Sequence, residues 1–369
     1  MGKLVIFCAG LGADPRILPA KKVTSILVNP FDNAMNQKAI RETLAMFAYA
    51  GTENRFLDSG GYQIYKAEEE GKVMTFDPNS PLIDSDGRIN ISPNHVIETA
   101  RQLNPHMMTA LDFPIRTLND RTEREQEFLR KLGFNIKWAA EASVLRERHC
   151  PQVQLFLPIQ SYDLDQFEIF KRSIGDISYD GLSMPLRNLE LDEIALFLLL
   201  FHQLGTKKVH LLGSTSFFVI TLSAFFARHF FEWVSLDATS WRLAAEKAQA
   251  YFNPFDLSAE NIGDKVLIDE SIPMICSCPF CENRTFTFIK TLPYSDKLAL
   301  LRSHNFWVIE QAAADLYENA SDLLRFERFL RRRSPRIKDI DDLIRCLSII
   351  DVYKKEDINV LKRLLKIAA

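Results

Sequence analysis

Short apolar runs recur eight times between residues 4 and 237, and they limit how this chain can fold more than any other feature. Most of the runs end in Asp, Asn, Gln, Gly or Pro, and amphipathic stretches of helix length separate most of them. Such alternation is typical of parallel β/α units, because parallel strands need a crossover helix between them. The runs are Leu4–Ala9, Ser25–Asn29, Arg55–Asp58, Met107–Asp112, Val153–Gln160, Gly181–Pro185, Lys208–Gly213 and Glu232–Asp237.

Eight strands in about 240 residues match the usual size of a (β/α)8 barrel, which is roughly 250 residues. The sequence therefore predicts the α/β class and a (β/α)8 TIM barrel. After Trp241 the alternation ends, and from Lys297 onward the pattern is helical. The helices predicted between the strands include 36–49, 93–103, 120–133, 189–204 and 216–230.

Composition narrows the class of protein. Hydrophobic residues make up 47% and charged residues 25% of the chain, which is ordinary for a globular protein, and the 27 Phe indicate a large aromatic core. No apolar run is long enough to cross a bilayer, and the first ten residues lack a signal-peptide layout, so we expect a cytoplasmic protein without a membrane partner. The net charge of −3 means that any nucleic acid must be bound through local basic patches.

A cysteine cluster, Cys276-x-Cys278-x-x-Cys281, is the most specific motif in the chain. Three thiolates from a tight loop can converge on one ion, and His304 from the following helix would complete a tetrahedral set. Four protein ligands leave no open position, so the predicted cofactor is a structural Zn²⁺. The alternatives are a chance thiol cluster in a reducing compartment and, for His304, a packed core histidine beside Phe306.

Polar residues stand at the ends of four of the apolar runs: Asp58, Asp112, Gln160 and Asp237. Each of these residues alone is explained by turn chemistry or by helix N-capping. In a (β/α)8 barrel, however, the active site lies at the carboxyl ends of the strands. Four such residues at equivalent places therefore favour a functional site over four unrelated turns.

The first of these ends continues as Asp58-Ser59-Gly60-Gly61-Tyr62. Two adjacent glycines allow the backbone to approach a flat ligand closely and expose their N–H groups to it. A bare Gly-Gly is more often a tight turn. The preceding acid and hydroxyl at a strand end favour the functional interpretation.

The other strand ends suggest chemistry on a base and a sugar. The carboxylate of Asp112 can accept two hydrogen bonds from a guanine-like ring, and the amide of Gln160 can both donate and accept along a purine edge. The carboxylate of Asp237 can attack an anomeric carbon, and Asp58 is the natural acid/base partner for that step. Taken singly, Asp112 and Gln160 are also explained as surface or capping residues, and Asp237 as a helix N-cap.

Basic residues cluster between Arg325 and Lys338, and this run has two interpretations of about equal weight. It is either a solvated helix face or a patch that binds phosphates. The candidate phosphate-binding residues are Arg242, Arg328, Arg331 and Arg332.

The order of these motifs resembles that of the tRNA-guanine transglycosylase superfamily. The shared order begins with Asp-Ser-Gly-Gly, followed by a strand-end Asp and a Gln. Gly-Leu-Ser, Leu-Leu-Gly, a second strand-end Asp and the Cys3His set come after them. The resemblance covers roughly Val23 to Trp307. The resemblance implies a (β/α)8 barrel with a structural zinc subdomain. It also implies exchange of guanine in a polynucleotide for a 7-deazaguanine base.

The resemblance also implies roles for individual residues. Asp237 resembles the nucleophile and Asp58 the general acid/base. Asp112 and Gln160 resemble the readers of the base edge. The supporting contacts implied around the base come from Ser59, Gly60 and Gly61, the stacking aromatic Tyr62, and the backbone of Leu182 and Gly213, while the implied zinc ligands are Cys276, Cys278, Cys281 and His304.

Some motifs depart from those of the tRNA enzymes. The Pro-Thr-Arg stretch after the nucleophile is replaced by Ala238-Thr239-Ser240-Trp241-Arg242, the Asp-Glu after the base-reading strand by Asp112-Phe113, and the Gly-Gly after Gln160 by Ser161-Tyr162. These changes resemble the branch that inserts 7-deazaguanines into DNA. We therefore expect a transglycosylase that exchanges guanine for a preQ0-like base in DNA through a covalent Asp-glycosyl intermediate.

Two alternatives stay open at this point: a tRNA-guanine transglycosylase of the queuine or archaeosine type, and a non-catalytic nucleic-acid-binding subunit. The expected partners are DNA or tRNA, the 7-deazaguanine base and accessory modification proteins, and the sequence is compatible with a homo-oligomer. We expect a catalytic barrel over residues 1–270, a zinc-binding subdomain over 271–310 and a C-terminal helical segment over 311–369.

Overall fold

A closed barrel of eight parallel strands forms the centre of the computed structural model and confirms the expected (β/α)8 fold. Residues of the chain that the structure describes are 2–10, 20, 22–29, 37–72, 82–83, 90–116, 118–161, 163–187, 189–262, 276–282, 284–333, 337–354, 356 and 358–365.

Twelve strands occur in the described residues: β1 (Lys3–Cys8), β2 (Ser25–Val28), β3 (Asn54–Leu57), β4 (Leu82–Ile83), β5 (Asn90–Ile91), β6 (Met107–Thr109), β7 (Gln154–Pro158), β8 (Gly181–Pro185), β9 (Lys208–Leu212), β10 (Trp233–Ala238), β11 (Ala250–Phe252) and β12 (Ala259–Asn261). The barrel order is β1-β10-β9-β8-β7-β6-β3-β2, and all eight of these strands coincide with the predicted apolar runs. β1 pairs with both β2 and β10, which closes the barrel.

Aromatic rings fill the inside of the barrel. Phe7, Phe56 and Phe156 alternate along their strands with residues that face the outer helices, as the period of two in a strand requires. The ring centroids of Phe7 and Phe56 are 5.4 Å apart, and those of Phe56 and Phe156 are also 5.4 Å apart. The interior is therefore a packed core, and in this fold the active site is expected on the rim at the carboxyl ends of the strands.

Thirteen helices occur in the described residues: α1 (Gln37–Ala50), α2 (Gly61–Glu69), α3 (Pro93–Leu103), α4 (Arg121–His149), α5 (Leu164–Ile174), α6 (Leu191–Gln203), α7 (Phe217–His229), α8 (Ser240–Ala248), α9 (Phe286–Thr291), α10 (Tyr294–Asn319), α11 (Leu323–Arg333), α12 (Ile337–Tyr353) and α13 (Ile358–Leu365). None of them is long and apolar enough to cross a membrane.

The predicted end of one helix at Gly133 is wrong, because α4 continues to His149. A glycine inside a helix costs only about 1 kcal/mol relative to alanine. The residues that follow it offset this cost, since Phe134 and Trp138 pack against Phe113 with ring centroids 5.6 and 6.3 Å away. Tertiary packing thus overrides a local helix-ending signal.

The segment after β10 packs on one side of the barrel. Asn305 of α10 accepts from the backbone N–H of Phe252 at 2.8 Å and donates to the carbonyl oxygens of Trp241 and Ala250 at 3.0 and 3.1 Å. One amide therefore ties α10, α8 and β11 together. The expected division into three parts stays a prediction: the boundary at 270/271 lies outside the described residues, and that at 310/311 falls within α10.

Candidate active site

Three carboxyl groups meet at the carboxyl ends of the barrel strands. Asp58 follows β3, Asp112 comes three residues after the end of β6, and Asp237 is the penultimate residue of β10. The negative charges of Asp237 and Asp112 both act on Asp58, which raises its pKa. The fold therefore brings together residues that are up to 179 positions apart in the sequence, since 237 − 58 = 179.

Asp58 has the environment of an acid that titrates near neutral pH. Burial is the main reason that its pKa is raised to about 7, and the charges of Asp237 and Asp112 add to the effect. Two donors oppose the shift: the backbone N–H of Ser59 at 2.8 Å from Oδ1 and the side-chain amide of Asn29 at 2.9 Å from Oδ2. Both protonation states of Asp58 are therefore accessible near pH 7.

Asp112 is buried and is hydrogen-bonded through both of its oxygens. The hydroxyl of Ser59 donates to Oδ1 at 2.7 Å, and the amide of Gln160 donates to Oδ2 at 2.6 Å. Burial raises the pKa of Asp112, while Ser59 and Gln160 lower it. Because each carboxylate oxygen has two lone pairs, both can still accept a hydrogen bond from a ligand.

Gly60 and Gly61 are each favoured over other residues for a different structural reason. Gly60 has φ +85°, a left-handed conformation that favours glycine, and it caps the start of α2. Gly61 lies against Asp112, where a Cβ atom would be 2.2 Å from Oδ1. Its N–H donates to the hydroxyl of Ser59 at 3.0 Å, which orients that hydroxyl toward Asp112.

Gln160 borders a cavity beside Asp112. Its side-chain oxygen accepts from the backbone N–H of Ile115 at 3.3 Å, which leaves the amide hydrogens for Asp112 and for a ligand. The residues that line the cavity with Gln160 are Pro114, Ile115, Ile159, Ser161, Pro185 and Arg187.

Two nitrogen atoms face the first oxygen of Asp237. The backbone N–H of Gly213 lies 3.1 Å from Oδ1, and Nε2 of His210 lies 3.4 Å from the same atom. Gly213 thus has a contact with a carboxylate, where the family resemblance implies a contact with the base. Sequence reasoning missed His210, although its place two residues before the end of β9 marked it as an inward-facing polar position.

The packing of Leu182 and Tyr62 does not test the base-binding roles expected of the Leu182 backbone and of the Tyr62 ring. Leu182 is fully buried in the core between the barrel and its helices, so its side chain faces away from the rim. Tyr62 is 59% exposed at the start of α2, with its ring centroid 6.4 Å from that of Tyr65. Their roles stay predictions.

Arg187 is a second residue that the sequence did not reveal as part of the site. Its guanidinium carbon lies 3.5 Å from the ring centroid of Tyr65, and its positive charge lowers the pKa of Asp112. No strand-end or glycine signal marks this position, because it lies beyond the end of β8.

The loop after β6 is held from below by α4. Asn135 accepts from the backbone N–H of Phe113 at 2.6 Å and donates to its carbonyl oxygen at 3.2 Å. Lys131 has no exposed surface, donates to the carbonyl oxygen of Pro114 at 2.6 Å, and forms ion pairs with Glu68 and Glu127 at 2.5 and 2.6 Å. These contacts fix the backbone that presents Asp112.

The cysteine cluster can hold a metal ion. The ligand atoms of Cys276, Cys278, Cys281 and His304 all lie within 4.8 Å of one another. Nδ1 of His304 is 3.6, 3.3 and 3.2 Å from the three sulfur atoms in that order. Tetrahedral Zn²⁺ with bonds of ~2.3 Å to sulfur and ~2.0 Å to nitrogen requires separations of about 3.6 Å. The donor set therefore fits zinc.

A second contact orients the histidine of this cluster. Nε2 of His304 lies 2.8 Å from the carbonyl oxygen of Phe252 in β11. An Nε2–H bond to this oxygen leaves the lone pair on Nδ1, the atom that faces the three sulfurs. The same histidine would therefore join the metal ligands to the β11–β12 hairpin.

Most of the candidate phosphate-binding arginines have protein partners. Arg242 donates to Glu246 at 2.8 Å and to the carbonyl oxygen of Gly10. Arg331 pairs with Glu327 and Asp341, and Arg332 donates to the carbonyl oxygen of exposed Arg328 at 3.2 Å. Arg242 lies in α8 and the other three in α11, and their phosphate contacts stay predictions.

Comparison with known proteins gives two matches. Residues 24–193 match a family model described as TGT, queuine tRNA-ribosyltransferase, and this range includes Asp58, Asp112 and Gln160. The chain is also similar to a tRNA-guanine(15) transglycosylase of Pyrococcus furiosus, with 22% identity over 307 residues, 80% of this chain and 48% of the relative. The chain thus spans about half the length of the curated relative that it matches.

Proposed function

Because the chain belongs to the tRNA-guanine transglycosylase superfamily, we propose that it is a pentosyltransferase that replaces guanine in a nucleic acid with a 7-deazaguanine base. The observation that carries this proposal is the meeting of Asp58, Asp112 and Asp237 at one end of the barrel. One carboxylate serves as nucleophile, one as acid/base and one as the reader of the base.

The first displacement uses Asp237 and Asp58. A carboxylate oxygen of Asp237 forms a bond to C1′ as the bond from C1′ to N9 of guanine breaks, and the electron pair of that bond leaves on N9. Asp58, with its pKa raised to about 7, supplies the proton that the departing base takes up. The target nucleotide must be turned out of any stack, because Asp237 cannot reach C1′ in an intact duplex.

The second displacement reverses these roles. Ionised Asp58 removes the N9 proton of the incoming 7-deazaguanine, whose nitrogen then forms a bond to C1′ while the bond to Asp237 breaks. Two inversions restore the original anomeric configuration, as in retaining glycosidases. No redox or nucleotide cofactor takes part in either step.

In this proposal, Asp112 and Gln160 recognise the base. The N1–H and the exocyclic amine of guanine are two donors side by side, and the two oxygens of a carboxylate match them. Ser59 and Gln160 already donate to Asp112, at 2.7 and 2.6 Å, so they orient the carboxylate before the base enters. A 7-deazaguanine presents the same edge, which explains how one pocket serves both bases.

DNA is the polymer that we propose as substrate. The stretch after the nucleophile departs from the Pro-Thr-Arg of the tRNA enzymes, and it packs inward here. Trp241 is 1% exposed and donates to the carbonyl oxygen of Ala9 at 3.2 Å, while Arg242 is held by Glu246. These side chains are engaged within the protein, which argues against an anticodon-binding use of this stretch.

A tRNA substrate is the second candidate, and it is favoured by the matched family and by the Pyrococcus furiosus relative, since both are described as acting on tRNA. Incubation of the full chain with a radiolabelled 7-deazaguanine and either duplex DNA, single-stranded DNA or bulk tRNA separates the two. We expect label in DNA. Incorporation into tRNA alone would replace the first candidate by the second.

The proposed chemistry is tested by Asp237→Ala. We expect the variant to lose base exchange and the covalent protein–nucleic acid adduct that survives denaturation, because no other group replaces the nucleophile. Asp165→Asn, an exposed acid in the first turn of α5, is the matched control and keeps both activities. Exchange at the wild-type rate by Asp237→Ala would refute the mechanism, and a wild-type chain without exchange or adduct would favour a non-catalytic subunit.

A further inference from the structure

His210 is a buried histidine beside the carboxylate of Asp237, and no motif of the chain points to it. We propose that His210 is a positioning residue that holds one oxygen of Asp237 and so directs the other toward the sugar. This inference rests on the proposed function, in which Asp237 is the nucleophile.

Packing locks the ring of His210 in place. The side chain has no exposed surface, and its ring stacks on Phe56 with centroids 4.4 Å apart and an angle of 29° between the planes. Phe7 contacts it edge-on at 5.9 Å. A ring held between two aromatic side chains cannot turn away from Asp237, so its orientation exists before any substrate binds.

The two nitrogens of the ring have different surroundings. Nδ1 lies 2.9 Å from the hydroxyl oxygen of Ser235, the residue opposite His210 on the neighbouring strand. Nε2 is buried, makes no hydrogen bond within the described part of the chain, and has Oδ1 of Asp237 3.4 Å away. This separation is longer than an ordinary hydrogen bond, as catalytic contacts often are before substrate binds.

The tautomer of His210 follows from the groups that face its two nitrogens. The 2.9 Å contact between Nδ1 and the hydroxyl of Ser235 can run in either direction, because that hydroxyl can also donate to the carbonyl oxygen of Val209 at 3.4 Å. A lone pair on Nε2 would be repelled by the carboxylate of Asp237, so the tautomer with its hydrogen on Nε2 is favoured and Ser235 donates to Nδ1. A neutral imidazole that accepts at Nδ1 carries its hydrogen on Nε2, which faces Asp237. Ser235 thus orients His210, and His210 orients the carboxylate.

The backbone of Gly213 and the ring of His210 face the same oxygen of Asp237. The N–H of Gly213 donates to Oδ1 at 3.1 Å, and Nε2 of His210 lies 3.4 Å from the same atom. Oδ2 accepts no hydrogen bond from the described residues, so its lone pairs are available for attack on C1′.

The test compares His210→Leu with His210→Gln, whose amide restores a donor. The matched control is His149→Gln at the exposed end of α4. Single-turnover formation of the covalent adduct is measured together with the affinity for the free base. We expect about 100-fold slower adduct formation in His210→Leu, unchanged base affinity and partial recovery in His210→Gln.

Ser235→Ala keeps the histidine and removes only the partner of Nδ1. This variant tests the same role if His210→Leu does not fold. We expect a smaller loss, on the order of tenfold, again with unchanged base affinity. Wild-type rates in folded His210→Leu, or in Ser235→Ala where His210→Leu is unfolded, would overturn the role of His210. Absence of any adduct from the wild-type chain would instead refute the proposed function, and with it this inference.

Discussion

Identical side chains at the rim of this barrel have different surroundings, which suit them to the different roles proposed above. Asp112 accepts hydrogen bonds from Ser59 and Gln160 on both oxygens, which suits a fixed acceptor. Asp58 is buried next to two other acids, which raises its pKa to about 7 and suits a group that gains and loses a proton. The residue type alone does not distinguish these roles, but the neighbours of each carboxyl group do.

Asp58→Asn should make the protein more stable at alkaline pH while it abolishes base exchange. The pKa of Asp58 is about 7 in the fold and 3.8 for a free side chain, so the folded state binds its proton more tightly than the unfolded state. Stability therefore falls as pH rises between these two values, and the neutral amide avoids that loss. We expect a gain on the order of 2 kcal/mol in the free energy of unfolding at pH 8, and a smaller gain at pH 5.

Urea unfolding of the wild type, Asp58→Asn and the exposed-acid control Asp165→Asn at both pH values measures this difference. An equal or lower stability of Asp58→Asn at pH 8 would contradict the assignment of a raised pKa to this group.

Gly61→Ala should damage base binding through a purely steric effect. A Cβ atom at this position would lie 2.2 Å from Oδ1 of Asp112, so the carboxylate must move away from the base edge. Gly133→Ala is the matched control, because a Cβ there meets no atom within 4 Å and alanine favours the helix by about 1 kcal/mol. Calorimetric titration with the free base should show at least about tenfold weaker binding for Gly61→Ala only.

At the scale of elements, α4 illustrates how a site is supported from outside. Its Lys131 is wholly buried between Glu68 of α2 and Glu127, and it also contacts the loop that carries Asp112. Loss of one partner from such a group leaves a buried charge uncompensated, which costs about 3–5 kcal/mol. The ion pairs of Lys131 therefore couple the position of α2, which begins at Gly61, to the position of Asp112.

The cysteine cluster joins helix α10 and strand β11, and we expect the zinc site to be needed for their order. His304 lies in α10, and its ring nitrogen contacts the carbonyl oxygen of Phe252 in β11. We expect Cys281→Ser to lose bound zinc and to lower the thermal midpoint, because a structural zinc site contributes directly to folding free energy. Cys150→Ser, which replaces an equally buried thiol outside the cluster, should keep zinc.

Metal content by mass spectrometry and thermal unfolding with and without a chelator measure this effect. Equal zinc content in Cys281→Ser and the wild type would show that the cluster is not the metal site. Retained base exchange at low temperature in the zinc-free protein is expected, since the four ligands leave no open position for chemistry.

At the scale of the whole molecule, closure of the barrel is what assembles the site. Asp58 and Asp237 belong to strands that are not neighbours, since β1 and β2 stand between β10 and β3 in the barrel. Their charges interact only because all eight strands are parallel and their carboxyl ends share one rim. Aromatic side chains such as Phe56 and Phe156, which contact each other inside the barrel, support the rim from within.

The sequence by itself determined the barrel, because strand period and helix period are local properties. It also indicated Asp58, Asp112 and Asp237 as strand-end carboxylates, which the structure brings to one rim, while their catalytic roles stay predictions. The spacing of Cys276, Cys278 and Cys281 likewise predicted a metal cluster that the structure brings together with His304. These features depend on neighbours within a few residues along the chain, so local sequence patterns are enough to predict them.

Only the tertiary structure decided the finer features of the site. His210 contacts Oδ1 of Asp237, Lys131 supports the loop below Asp112, and α4 continues through Gly133. Each of these depends on atoms that are distant in sequence and become neighbours only when the barrel closes. The physical reason is that pKa values, donor directions and helix ends respond to packing and charge in three dimensions, which no local pattern encodes.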